Sequence, residues 1–152
     1  DNIALSNRQE EQEATARVLQ EFGWWDMFAG LPQGVLTLCG EDGRNLSGGQ
    51  RQLLGLARAM VRKPKILILD EATSAMDYGT ERKVQSLVRD YVSNSGASLL
   101  LITHQPTLAV SMDKVMILDQ GQITAYGEPG ELLQTDNLLS RAYQNMLEPN
   151  WR

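Results

Sequence analysis

Ile66 to Leu69 is apolar at every position, follows directly on Pro64 and Lys65, closes on Asp70, and is matched further along by Leu99 to Ile102. Short runs that are apolar throughout, as opposed to alternating, predict strands covered on both faces of a parallel sheet. Between the two runs, Val84, Leu87, Val88 and Tyr91 share one helical stripe and Asn94 to Gly96 reads as a turn. Strand, helix and strand in that order predict an α/β fold with a mostly parallel sheet. Neither run approaches the roughly 20 apolar residues needed to cross a bilayer.

The same periodicities organise the flanks. From Gln50 to Val61, Leu53, Leu56, Ala57 and Met60 follow the spacing of a helix with one buried face, which Pro64 ends. Arg8 to Phe22 carries Ala14, Val18 and Phe22 at intervals of four, with Leu19 beside them and Glu10, Glu11 and Glu13 in the early turns; this predicts a helix ending near Gly23. Trp24, Trp25, Met27 and Phe28 follow, either filling a small core beside that helix or forming a surface on which a partner docks. Gly30, Pro32, Gly34, Gly40 and Gly43 mark a connecting region of turns. Later, Val115 to Leu118, the turn Asp119-Gln120-Gly121 and Ile123 to Tyr126 read as a hairpin, and Leu138, Leu139, Ala142, Tyr143 and Met146 as a final amphipathic helix. At 152 residues this is one domain's length. With 14 Lys and Arg against 19 Asp and Glu, scattered, no basic stripe exists to bind nucleic acid. One cysteine, Cys39, and a start on Asp1 and Asn2 without a basic-then-apolar run fit a reducing, cytosolic setting.

Three groups carry chemistry. Leu46-Ser47-Gly48-Gly49-Gln50 opens the second helix: Ser47 suits a cap, the glycines let backbone N–H groups approach a ligand, and the helix N-terminus favours an anion such as phosphate. Taken alone, such a string also reads as a plain cap. Asp70 and Glu71 stand at the C-terminal end of the first strand, where open α/β sheets place their ligand crevice, and paired carboxylates there suit Mg²⁺ and an attacking water. His104, the only histidine, follows the second strand at the same end of the sheet.

The order and spacing of these strings resemble the nucleotide-binding domain of ABC transporters, a family with the P-loop NTPase fold. Leu46 to Gln50 is similar to the family's signature motif, Ile66 to Asp70 to the Walker B strand, Glu71 to the catalytic glutamate, Ser74-Ala75-Met76-Asp77 to the D-loop, and His104 to the switch histidine. Gly43-Arg44-Asn45, Ala57-Arg58-Ala59, Asp70 to Ser74 and Tyr126-Gly127-Glu128-Pro129 agree as well. Gln50 to Leu54, with Leu53 where many exporters carry a second arginine, looks most like the multidrug-resistance-associated (C) subfamily, and Glu71 resembles that of its second nucleotide-binding domain.

The resemblance implies an ATPase that uses ATP and Mg²⁺ to drive export of a solute at the cytoplasmic face of a membrane. It assigns Glu71 and His104 to catalysis, Asp70 to the metal, and Leu46, Ser47, Gly48, Gly49, Gln50 and Asp77 to nucleotide at a head-to-tail interface with a second nucleotide-binding domain. Transmembrane domains of the transporter are the other implied partners. A P-loop requires Gly followed by Lys and then Ser or Thr; none of the 13 glycines here precedes a lysine. The expectation is therefore a helical signature subdomain, residues 1–61, plus the C-terminal half of a RecA-like core, residues 62–152, with the Walker A half lying ahead of Asp1 and the chain inactive by itself. An alternative is a non-catalytic module that docks on a complete ABC domain through its signature face. An ATPase acting on DNA or ribosomes fits the acidic balance poorly.

Overall fold

The computed structural model describes Ile3 and residues 8–147. Asp1 and Asn2, read above as a polar start, and residues 148–152 of the second expected segment lie outside the described residues. The chain divides after Ile102 into two compact units.

The first unit holds α1 (Gln9–Glu21), α2 (Gly48–Val61), β1 (Ile66–Asp70), α3 (Tyr78–Ser95) and β2 (Ser98–Ile102), with short 3₁₀ turns between α1 and α2. Gly23 ends α1 in the left-handed region, φ 70°. There Gly23 N–H donates to Gln20 O at 3.1 Å and Trp24 N–H to Leu19 O at 2.8 Å. This paired closure satisfies the last helical carbonyls and turns the chain inward. As a result Trp24 is fully buried and Phe28 nearly so, which favours core filling over docking for this aromatic run; Trp25 packs half-buried against the same core. The buried positions of α1 are Thr15 and Leu19, with Val18 and Phe22 half-buried and Ala14 exposed, a stripe rotated by about one residue from the sequence expectation.

In α2, Leu53, Leu56, Ala57 and Met60 are buried as the spacing predicts, and Leu54 joins them. They share one core with Leu67 and Leu69 of β1 and with Val84, Val88 and Tyr91 of α3. The Tyr91 hydroxyl donates to Pro64 O at 2.8 Å, pinning α3 to the segment that enters β1. Its ring also meets Phe22 edge-on, 5.2 Å between centroids.

β1 and β2 are parallel, Ile66 opposite Ser98 through Asp70 opposite Ile102, with α3 as the crossover. The expectation of strands covered on both faces requires correction here. Leu67 and Leu69 are buried, but Ile66 is 66% exposed, Ile68 61%, Leu100 55% and Ile102 49%. The physical reason is that α2 and α3 contribute apolar side chains to a core on the Leu67 side, while the described residues leave the opposite face open to solvent.

The second unit contains α4 (Pro106–Ala109), β3 (Val115–Asp119), β4 (Gln122–Gly127), α5 (Pro129–Leu132) and α6 (Leu138–Leu147). β3 and β4 form the predicted antiparallel hairpin, closed by Gln120 and Gly121, both at positive φ (47° and 77°). Two consecutive left-handed residues match the right-handed twist of the strands they join. Ile117, Leu132 and Leu139 form a small core of their own. No helix among the described residues is long and apolar enough to cross a membrane.

Candidate functional site

The N-terminus of α2 is built from a reciprocal pair of hydrogen bonds. Ser47 Oγ accepts from Gln50 N–H at 3.2 Å, and Gln50 Oε1 accepts from Ser47 N–H at 2.8 Å. This capping box contributes about 1 kcal/mol to the helix, and it fixes the Gln50 side chain against its own turn. The N–H groups of Gly48 and Gly49 stand in the first helical turn, where no intrahelical carbonyl can reach them, at the partially positive end of the helix. Leu46 points the other way: its side chain is buried in the core, and its carbonyl accepts from Arg51 Nη1 at 2.7 Å.

The glycines serve an internal contact as well. A Cβ on Gly48 would stand 3.3 Å from Ala75 Cβ, and one on Gly49 only 2.9 Å from Ala75 O and 3.4 Å from Met76 Cα. The start of α2 therefore lies directly against the Ala75-Met76 backbone. Asp77 then caps α3, accepting from Thr80 N–H at 3.0 Å and from the Thr80 hydroxyl at 2.6 Å. These two bonds, the hydroxyl's first, hold the Asp77 carboxyl below its ordinary 3.8. Because the shift is downward, the cap keeps its full charge above that ordinary value and loses it only as pH falls through the lower folded value. Ser47, Gly49, Gln50, Asp77 and Thr80, with Met27, Gly30, Leu31 and Leu53, line one open cleft of about 360 Å³.

Asp70 and Glu71 leave β1 at its C-terminal end, both exposed. Glu71 is one of four non-glycine residues at positive φ (43°) among the described residues, a conformation that costs on the order of 1–2 kcal/mol and needs surrounding bonds to hold it. Its N–H extends the ladder to Ile102 O at 3.0 Å, and its carbonyl accepts from Ser74 N–H at 3.1 Å. His104 belongs to the second unit, exposed in the loop before α4, where Gln105 N–H donates to Thr103 Oγ1 at 3.0 Å. The site residues predicted from sequence thus fall into one cleft lined by Ser47, Gly49, Gln50 and Asp77, a carboxylate strand end in the same unit, and a histidine described with the other unit.

The donor set at the strand end suits Mg²⁺. Among the described residues no three His, Cys, Asp or Glu side chains are grouped to hold a metal by themselves, and Mg²⁺ is usually held by one or two carboxylates with waters and substrate phosphates completing the shell. Asp70 offers such a carboxylate. For phosphate, the first-turn N–H groups of α2 supply donors of the right polarity. Sequence reading did not single out Thr80, whose hydroxyl orients Asp77, or Gln52, whose carboxamide reaches Glu71 O and Ser74 Oγ. The signal for Gln52 lay in its spacing, one helical turn from Gly48 on the same face.

Residues 3–74 match the family model described as ABC transporter. Antigen peptide transporter 1 of Rattus norvegicus is 39% identical over 149 residues, 97% of this chain and 20% of the relative. Leukotoxin translocation ATP-binding protein LktB of Mannheimia haemolytica is 37% identical over 150 residues, 99% of this chain and 21% of its own length. Among solved structures, a bacterial Atm1-family ABC exporter with ATP bound superposes with a TM-score of 0.81 at 32% identity, over 97% of this chain and 26% of that one. The chain spans about a fifth of the length of these curated relatives.

Proposed function

The chain belongs to the ABC transporter ATPase family and is homologous to the ATP-binding domains of ABC exporters; from that premise we propose that, in an intact exporter, it supplies the signature face and the hydrolytic carboxylates of such a domain. The observation that carries this reading is the single cleft on which Ser47, Gly49 and Gln50 at the start of α2 meet Asp77 at the start of α3. In this reading the first-turn N–H groups of α2 and the Ser47 hydroxyl meet the terminal phosphate of an ATP held by a second nucleotide-binding domain, packed head to tail, and Asp77 faces the same partner. Leu46 acts from behind, as the core residue that seats the loop.

Asp70 holds Mg²⁺, which when bound neutralises charge on the phosphates. Glu71 orients and deprotonates the attacking water. His104, through its resemblance to the switch histidine, is assigned to stabilising charge on a transferred phosphoryl group. Asp70 and Glu71 serve the nucleotide of their own domain. The phosphate cradle for it comes from a further segment of that domain carrying a Gly-Lys-Ser/Thr loop, and the open apolar face of Ile66, Ile68, Leu100 and Ile102 supports a packing partner for β1 and β2. Residues 1–61 are then the helical subdomain and 62–152 the C-terminal part of the core. The cleft opens on the cytoplasmic side of the membrane, hydrolysis drives export through attached transmembrane domains, and Leu53 with Glu71 favours the second domain of a subfamily C exporter.

The test is turnover. An exporter carrying these residues is expected to hydrolyse ATP with Mg²⁺ on the order of 1 s⁻¹ or faster, whereas the 152-residue polypeptide alone releases no phosphate above background. Phosphate release by the isolated polypeptide that disappears in Glu71→Gln would overturn the division of labour between this chain and the cradle.

A further inference from the structure

We propose that Gln52 is a positioning residue for hydrolysis, a clamp that locks the strand-end segment bearing Glu71 to the signature helix. The inference rests on the functional reading above and names a residue that reading does not use. Gln52 sits on α2 one turn after Gly48, so both present the same face, and Ala75 meets them both: its Cβ lies 3.3 Å from where a Gly48 Cβ would stand, and its N–H donates to Gln52 Oε1 at 3.0 Å. The other end of the carboxamide donates to Ser74 Oγ at 3.1 Å and to Glu71 O at 3.3 Å.

The chemistry of the amide makes this arrangement specific. Ala75 N–H can only donate, so it fixes the carbonyl end of Gln52 toward residue 75 and leaves the two N–H donors for oxygen acceptors, which Ser74 and Glu71 provide. A carboxylate of the same shape would turn an oxygen toward the Glu71 carbonyl. The clamp also grips the residue that most needs it: Glu71 stands at φ 43°, and its peptide is held by Ile102 on one side and by Ser74 N–H and Gln52 on the other. Three bonds from a single half-buried side chain span 19 to 23 residues of sequence, so any shift of α2 is transmitted to the backbone that aims the Glu71 carboxylate. Signature engagement and the placement of the base thereby become one mechanical event.

The experiment uses the intact exporter with Gln52→Met, which keeps the length and removes the polar atoms, Gln52→Glu, which keeps the acceptor alone, and the milder Ser74→Ala. Gln52→Met is expected to lower kcat for ATP by about tenfold to a hundredfold, the range expected for a small misplacement of a reacting group, with KM within about twofold. Gln52→Glu falls at least as far, and Ser74→Ala loses less. Hydrogen exchange supplies a readout independent of turnover: the Ala75 amide exchanges faster in Gln52→Met while amides in the second half of α2 do not. An unchanged kcat, a parallel rise of KM, or unaltered exchange at Ala75 would each overturn the clamp. If the wild-type exporter does not hydrolyse ATP, or Glu71→Gln is as active as wild type, the functional reading falls and takes the clamp with it; if those controls behave and Gln52→Met is normal, the clamp alone falls.

Discussion

Replacing Glu71 with Gln in the intact exporter is expected to lower ATP hydrolysis by about 10²–10⁴-fold, the usual contribution of a positioned general base, while ATP still binds. The carboxylate stands just beyond the C-terminal end of β1, on a backbone whose φ of 43° is held by bonds from Ile102 and Ser74. Gln is isosteric and leaves that backbone untouched, so folding and nucleotide affinity are expected to be spared, and in the proposed role only the capacity to take a proton from water is lost. Steady-state phosphate release with parallel ATP-binding titrations checks this. A variant with more than about a tenth of wild-type turnover would remove Glu71 from the role of base.

Gly49→Val is expected to damage both stability and turnover. A Cβ there meets Ala75 O at 2.9 Å, a backbone atom that cannot rotate aside, so either α2 or the Ala75-Met76 segment must move. Forcing atoms into a packed contact costs about 1–3 kcal/mol, and displacing the signature loop by about 1 Å costs on the order of 10²-fold in rate. Gly55 in the same helix provides the contrast: nothing lies within 4 Å of its Cβ position, and Gly55→Ala should stabilise by about 0.5–1 kcal/mol through helix propensity. Thermal melts without nucleotide separate the two explanations of Gly49. If the glycine served only close approach to a ligand, its replacement would leave the ligand-free melting temperature unchanged.

Much of the architecture was legible because the interactions that specify it are local. The buried stripe of α2 follows from residues three and four apart, the cap from Ser47 at the head of that helix, and the hairpin from the turn Asp119-Gln120-Gly121. The α1 stripe was placed about one residue off, since the Gly23 closure and the burial of Trp24 decide which side of that helix faces the core. The double-sided burial expected of Ile66 to Leu69 meets a single covered face. An apolar run records the surroundings a strand requires without recording which segment provides them.

At the candidate site, motif order singled out Ser47, Gly49, Gln50 and Asp77, and their convergence on one cleft depends on how α2 rests against the loop before α3. Gln52 escaped notice for that reason. Its partners lie 19 to 23 residues away and are mostly backbone atoms, which carry no side-chain signature for a sequence to display. Leu46, read with the signature string, turns its side chain into the core.

The proposal that the phosphate cradle of this ATP-binding domain lies outside these 152 residues is tested most directly by isothermal titration of ATP with Mg²⁺. The titration is run into the 152-residue polypeptide alone and into its mixture with a separately produced first half of the domain that carries a Gly-Lys-Ser/Thr loop. Saturable heat in the mixture, exceeding that of the first half by itself, with none for the polypeptide alone, is the expected result. Saturable binding by the polypeptide alone would mean that these residues cradle phosphate themselves, and would contradict the division.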